Sequence, residues 1–102
     1  MWISDIKSKP IERVAIFGLG SMGRRYLSLL SSLEVVPPSG VVACDPDTTA
    51  RSMVKGGWAS PSVDATLDHL ANRGGVDIVV IATPGDTHIK LLGRVTERFP
   101  EA

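Results

Sequence analysis

The chain of 102 residues balances eleven Lys and Arg against eleven Asp and Glu, for a formal net charge of zero. That balance, with the basic residues scattered, excludes the concentrated positive face that nucleic acid or an anionic membrane requires. A composition 43% hydrophobic and 22% charged is that of one ordinary folded domain, and the single cysteine, Cys44, excludes an internal disulfide and a cysteine-based metal cluster.

No apolar run approaches the roughly 20 residues that span a bilayer. The N-terminus lacks the basic-then-apolar layout of a signal peptide, so a cytoplasmic, reducing setting is expected. Residues 1–11 read as an extension closed off by Pro10, in which Trp2 and Ile6 are apolar without an indicated packing site. Residues 12–102 read as the folded domain.

The run Val14-Ala15-Ile16-Phe17 is apolar without alternation, which predicts a strand covered on both faces. After the glycines that follow, Met22, Tyr26, Leu29, Leu30 and Leu33 recur at helical spacing and predict an inward-facing stripe. Pro37-Pro38 ends that helix. Val41-Val42-Ala43-Cys44 predicts a second buried strand, and Asp47 is placed to cap a short helix through Val54, stopped by Gly56-Gly57.

Trp58-Ala59 reads as a brief third strand. Ser60-Pro61 reads as a cap and first-turn proline for a helix with Val63, Leu67 and Leu70 inward, closed by Gly74-Gly75. Ile78-Val79-Val80-Ile81-Ala82 is the strongest strand signal. It leads through Thr83-Pro84-Gly85 into a helix with Ile89, Leu92, Val95 and Phe99 inward. Alternating buried strands and amphipathic helices imply a Rossmann-like α/β fold. That fold is a doubly wound parallel sheet of about four strands with helices on both faces.

Gly18-Leu19-Gly20-Ser21-Met22-Gly23 fits G-x-G-x-x-G, a weak pattern alone. Here it follows a buried strand and opens an amphipathic helix, the context that gives it meaning. Gly18 would make the tight turn, Gly20 would admit a pyrophosphate to the backbone, and Gly23 would let helix and strand approach. The phosphates would rest on the helix N-terminus, where free N–H groups and the dipole favour anions. The alternative is a glycine turn without a ligand.

Asp45 lies at the carboxyl end of the next strand, about 20 residues beyond the loop, where a carboxylate can accept from both ribose hydroxyls of NAD. It would repel a 2′-phosphate. Arg24 and Arg25 nevertheless keep NADP open. The alternative for Asp45 is a turn or capping aspartate within Asp45-Pro46-Asp47. S-adenosylmethionine sites also pair a glycine loop with an acidic residue after the second strand. Their glycines are usually spaced by two, with an acidic residue just upstream; this chain has neither.

These segments resemble the N-terminal domain of the Gfo/Idh/MocA oxidoreductases. The resemblance rests on residues 14–25, on Val42-Ala43-Cys44-Asp45-Pro46-Asp47, on residues 77–84, and on His88 four residues after Pro84. It implies that Ala82, Thr83 and Pro84 border a bound dinucleotide, with His88 opening the next helix nearby. The family often has histidine where this chain has Tyr26. It also continues into a fifth strand and a Glu-Lys-Pro segment, whose lysine works at the reacting carbon, and then into a substrate domain. No Glu-Lys-Pro occurs here.

The resemblance therefore implies NAD(P) binding by a fragment of an oxidoreductase of sugars, polyols or related hydroxy compounds, with no catalytic or metal-ligating residue of its own. The alternatives are a non-catalytic dinucleotide-binding module or partner subunit, and a remnant without ligand. With no fifth strand, Ile78–Ala82 is expected to leave an apolar sheet edge open to a complementing chain or a second copy. Cys44 is expected in the core, His69 in solvent, Trp58 under the sheet edge, and Asp64 and Asp68 at the surface.

Overall fold

The computed structural model describes residues 2–3, 11–34 and 36–100; Ile6 and Pro10 of the N-terminal stretch lie outside them. The elements in order are β1 (Trp2–Ile3), β2 (Val14–Phe17), α1 (Ser21–Leu33), β3 (Val41–Cys44), α2 (Thr48–Arg51), β4 (Trp58–Ser60), α3 (Val63–Asn72), β5 (Ile78–Ile81) and α4 (Gly85–Arg98). The sheet runs β1-β5-β2-β3-β4. Strands β5, β2, β3 and β4 are parallel, with Phe17 level with Cys44 on one side and Ile81 on the other.

The unalternated apolar runs are explained by burial on both faces. Ala15, Phe17, Val42, Cys44, Val79 and Ile81 face one layer, where Leu67 and Leu70 of α3 and Leu91 and Val95 of α4 cover them. Val14, Ile16, Val41, Ala43, Ile78 and Val80 face the other, where Tyr26, Leu27 and Leu30 of α1 pack. Each larger side chain so buried contributes roughly 1.5–3 kcal/mol. That outweighs the weak intrinsic preference of four-residue strands.

Two helices keep only part of their expected inward faces: Tyr26 and Leu30 of α1, and Leu92, Val95 and Phe99 of α4, pack on the core. In α1, Met22, Leu29 and Leu33 are 43%, 46% and 68% exposed, while Gly23 is buried. Gly23 has no Cβ, so it can approach β2 most closely and sets the helix's angle. The three exposed residues then stand roughly 80–120° round from it. In α4, Leu91 and Val95 point inward and Ile89 is 74% exposed, about 120° round from Val95.

Caps also differ from expectation. Helix α3 is capped by Ser62, whose Oγ accepts from Ala65 N–H at 3.1 Å. Ser60 lies one step back, its Oγ accepting from Ser62 N–H at 3.1 Å. Asp47 caps α2 as expected, accepting from Ala50 N–H. That helix ends at Arg51 rather than Val54, because Met53 and Val54 reach back only three residues, to Ala50 O and Arg51 O.

The expected open edge is also closed in part. Strand β1 pairs antiparallel with β5, Trp2 level with Ile81 and Ile3 with Val80. The N-terminal stretch thus supplies an edge strand that hydropathy alone does not announce. At the opposite, amino end of the sheet, Asp77 accepts from Glu12 N–H at 2.8 Å and Arg13 N–H at 3.1 Å, pinning β2 to β5. On the α3–α4 face Arg94 pairs with Asp64, and Arg98 with Asp68 at 3.2 Å. Such exposed pairs are worth about 0–1 kcal/mol each. They account for both aspartates as surface partners.

Candidate functional site at the glycine loop

The chain winds from β2 outward through β3 to β4, then returns to β5 on the other side of β2. The connections leaving β2 and β5 therefore pass to opposite faces, through α1 on one and α4 on the other, which makes the carboxyl ends of these two strands the switch point of the sheet. In open parallel sheets this is where ligands bind. The glycine loop leaves β2 at that point, and residues 82–84 leave β5 beside it.

Gly18 turns the chain with φ +96°, a left-handed conformation that side chains disfavour. Its N–H donates to Cys44 O at 2.8 Å, and Ala82 N–H donates to Phe17 O at 2.8 Å, which locks the loop to both neighbouring strands. A Cβ on Gly18 would lie 3.0 Å from the Ala82 carbonyl and 3.2 Å from the Thr83 methyl. A Cβ on Gly23 would lie 1.8 Å from Gly18 O. The loop backbone is thus folded directly against the first turn of α1.

Gly20 is different. It is the N-cap of α1, with φ −69° and no side-chain capping bond, and a Cβ there would meet nothing within 4 Å. Ser21 and Met22, which begin the helix, are exposed. An uncapped helix start facing open space, with no acidic residue in its first turn, presents unpaired N–H groups and the positive end of the dipole.

Asp45 is aimed at this loop. Its Oδ2 accepts from Leu19 N–H at 2.6 Å and its Oδ1 from Asp47 N–H at 2.8 Å. Its own N–H donates to Ser60 O at 3.1 Å. Capping of α2 falls to Asp47, so Asp45 is not the capping residue. On the opposite wall the Thr83 hydroxyl oxygen is buried and has no hydrogen-bond partner among the described residues. A buried polar atom without a partner is uncommon, and beside a crevice it points to a missing ligand or water.

Pro84 is the N-cap of α4, also without a side-chain capping bond. His88 ends the first turn of that helix, its N–H donating to Pro84 O at 2.8 Å. The structure therefore gathers Gly18, Leu19, Asp45, Ala82 and Thr83 by direct approach, with Gly20, Ser21 and Met22 at the open rim. Arg24 and Arg25 are exposed on α1.

Two features escaped the sequence reading or differ from it. His69 is stacked on Trp58, ring centroids 4.0 Å apart and planes 8° apart, rather than standing free in solvent. Burial there, and then Arg73 nearby, push its pKa down. Arg51 folds back on the Asp45 turn, a contact that no spacing rule announces. Cys44 is buried as expected, and desolvation raises its pKa, so it is an inert thiol rather than a nucleophile.

Among the described residues no cluster of His, Cys, Asp or Glu could hold a metal ion, and no helix is long and apolar enough to cross a membrane. The donor set instead suits a dinucleotide: an open helix start, a close-packed glycine turn, and a carboxylate beside it.

Residues 12–101 match the family model described as the Gfo/Idh/MocA oxidoreductase family, NAD-binding Rossmann fold. Among curated proteins, the chain is 37% identical over 89 residues to a "Glycosyl hydrolase family 109 protein" of Streptomyces niveus, covering 78% of this chain and 17% of that protein. It is 36% identical over 89 residues to an "Inositol 2-dehydrogenase" of Mycolicibacterium smegmatis, covering 86% of this chain and 26% of that one. The chain thus spans about a quarter or less of these relatives. No solved structure gives a significant match. With its glycine loop at the switch point of a parallel sheet and the family match running along nearly its whole length, the chain belongs to the Gfo/Idh/MocA oxidoreductases and forms their NAD-binding Rossmann domain.

Proposed function

We propose that this chain holds NAD(H) for an oxidoreductase acting on sugars, polyols or related hydroxy compounds. One observation carries the reading: the start of α1 is uncapped and faces open space at Gly20, while Asp45 reaches the same loop. In this reading the N–H groups of Ser21 and Met22 receive the pyrophosphate, and Gly20 keeps the approach clear. Gly18 and Gly23 hold the loop's shape.

A carboxylate has about four acceptor positions. Asp45 uses one on each oxygen for backbone N–H groups, so both oxygens retain capacity for the ribose hydroxyls. Its charge disfavours a 2′-phosphate, which makes NAD the preferred cofactor over NADP. Ala82, Thr83 and Pro84 form the wall toward the nicotinamide half, where the buried Thr83 hydroxyl offers a partnerless group. His88 borders the same space from the first turn of α4. When bound, the nicotinamide supplies hydride transfer at its ring carbon.

None of these residues is assigned a role at the reacting carbon. In this proposal the proton acceptor and the substrate pocket come from outside the matched domain, and the substrate class follows from the inositol dehydrogenase likeness. Titrating the folded chain with NADH and NADPH tests the cofactor reading, with NADH expected to bind more tightly. Asp45→Asn is expected to weaken NADH by roughly 10- to 100-fold, as loss of hydrogen bonds to a charged group does, and to narrow the NADH–NADPH difference. A folded chain indifferent to NADH at about millimolar concentration, far above usual cofactor affinities, would sink the proposal.

A further inference from the structure

Arg51 lies on α2, behind the turn that carries Asp45. Its Nη1 donates to Asp45 O and Pro46 O, both at 2.9 Å, and its Nη2 donates to Thr48 Oγ1 at 3.2 Å. The guanidinium is therefore spent on its own turn, one nitrogen holding two consecutive carbonyls and the other the Thr48 hydroxyl. Helix α2 has only four residues, too few to be cooperative alone. The turn from Asp45 to Thr48 thus depends on side-chain bonds for its shape.

We infer that Arg51 is a positioning residue for ribose recognition: it fixes the Asp45–Pro46 backbone from behind, so that the Asp45 carboxylate stays aimed at the glycine loop. Asp45 is then held from three directions. Its N–H is bound to Ser60 on β4, its carbonyl to Arg51, and its carboxylate to Leu19 and Asp47. Removing the Arg51 bond frees the one backbone group that no strand or loop contact secures. The inference rests on the reading that Asp45 grips the adenosine ribose. It assigns Arg51 no direct contact with a phosphate, because the N–H groups described are engaged with the chain itself.

The test compares ADP with 2′-deoxy-ADP as probes of the folded full chain, so that the readout is the contribution of one ribose hydroxyl. The wild-type chain is expected to prefer ADP. Arg51→Met, similar in length but without donors, is expected to reduce that preference by roughly three- to tenfold, the scale of a lost hydrogen bond, with the melting transition retained. Arg51→Lys keeps a cationic donor for the carbonyls but loses the second nitrogen that reaches Thr48, so an intermediate preference is expected; it also serves if Arg51→Met does not fold.

A variant that binds more weakly but keeps the full preference for ADP would show a merely structural arginine and overturn the inference alone. Selective loss of NADPH binding with the ADP preference unchanged would make Arg51 a phosphate ligand, again overturning it. A wild-type chain that does not discriminate the two probes overturns the Asp45 reading and the inference together.

Discussion

Helices α1 and α3 begin in opposite ways, although both follow a parallel strand and both cover the same sheet. Helix α3 closes itself: Ser62 caps it, and Asp64 sits in its first turn facing the dipole. Helix α1 begins on Gly20, with no capping side chain and no acid in its first turn. A capping side chain in place of glycine is worth a few tenths of a kcal/mol, so α1 forgoes a little stability that α3 keeps. It recovers its place through packing instead, with Gly23 seated against Gly18 O. Under the proposed function, the anion goes to a helix start that has neither a capping side chain nor an acidic residue in its first turn, a combination that α3 lacks.

The comparison can be broken most severely at Gly23. A Cβ there meets backbone atoms at 1.8 and 2.8 Å, which cannot move aside without shifting the loop. Gly23→Ala is expected to cost roughly 3 kcal/mol or more, the upper range for overpacking, read as a large fall in the denaturant midpoint. Gly20→Val sharpens the contrast from the other side. Its Cβ has open space and an ordinary φ, so stability should change by less than about 1 kcal/mol while NADH affinity falls by about tenfold or more, since the side chain fills the approach to the pyrophosphate.

Ser62→Ala should do the reverse, lowering stability by about 1 kcal/mol while leaving NADH titrations unchanged. The smallest effect concerns His69 on the capped helix. Its pKa is lowered in the fold, so the neutral form is favoured there, and the unfolded chain takes up a proton first as pH falls. Its share of stability is whole above the unfolded value and is lost as pH drops through the folded one. Lowering pH from about 7.5 to about 5 should reduce the denaturant midpoint slightly more in the wild type than in His69→Gln.

The four parallel strands and the glycine loop were legible because they depend on local signals: unbroken apolar runs and glycines at fixed offsets. Helix faces were less so. Leu29, Leu33 and Ile89 fit an apolar stripe as well as Leu27 and Leu91 do, and only the close approach at Gly23 decides which side of α1 turns inward. Strand β1 was missed because two residues carry no periodicity. Within the candidate site, Asp45 was found by spacing, whereas Arg51, and outside the site the Trp58–His69 stack, were not, since each joins groups whose pairing depends on how turns and edges fold in three dimensions.

The order of strands has a temporal consequence. Central strand β2 meets β3 after the 23 residues from 18 to 40, but its other neighbour, β5, is not synthesised until residues 78–81. Contacts so distant along the chain form late, because a long loop must close before they are rewarded. Ala82 and Thr83, which back the glycine turn, belong to that late-arriving segment. On a ribosome or in refolding, the crevice would therefore be among the last parts of the molecule to take shape, and NADH added to a refolding sample should act after the early strands have already docked.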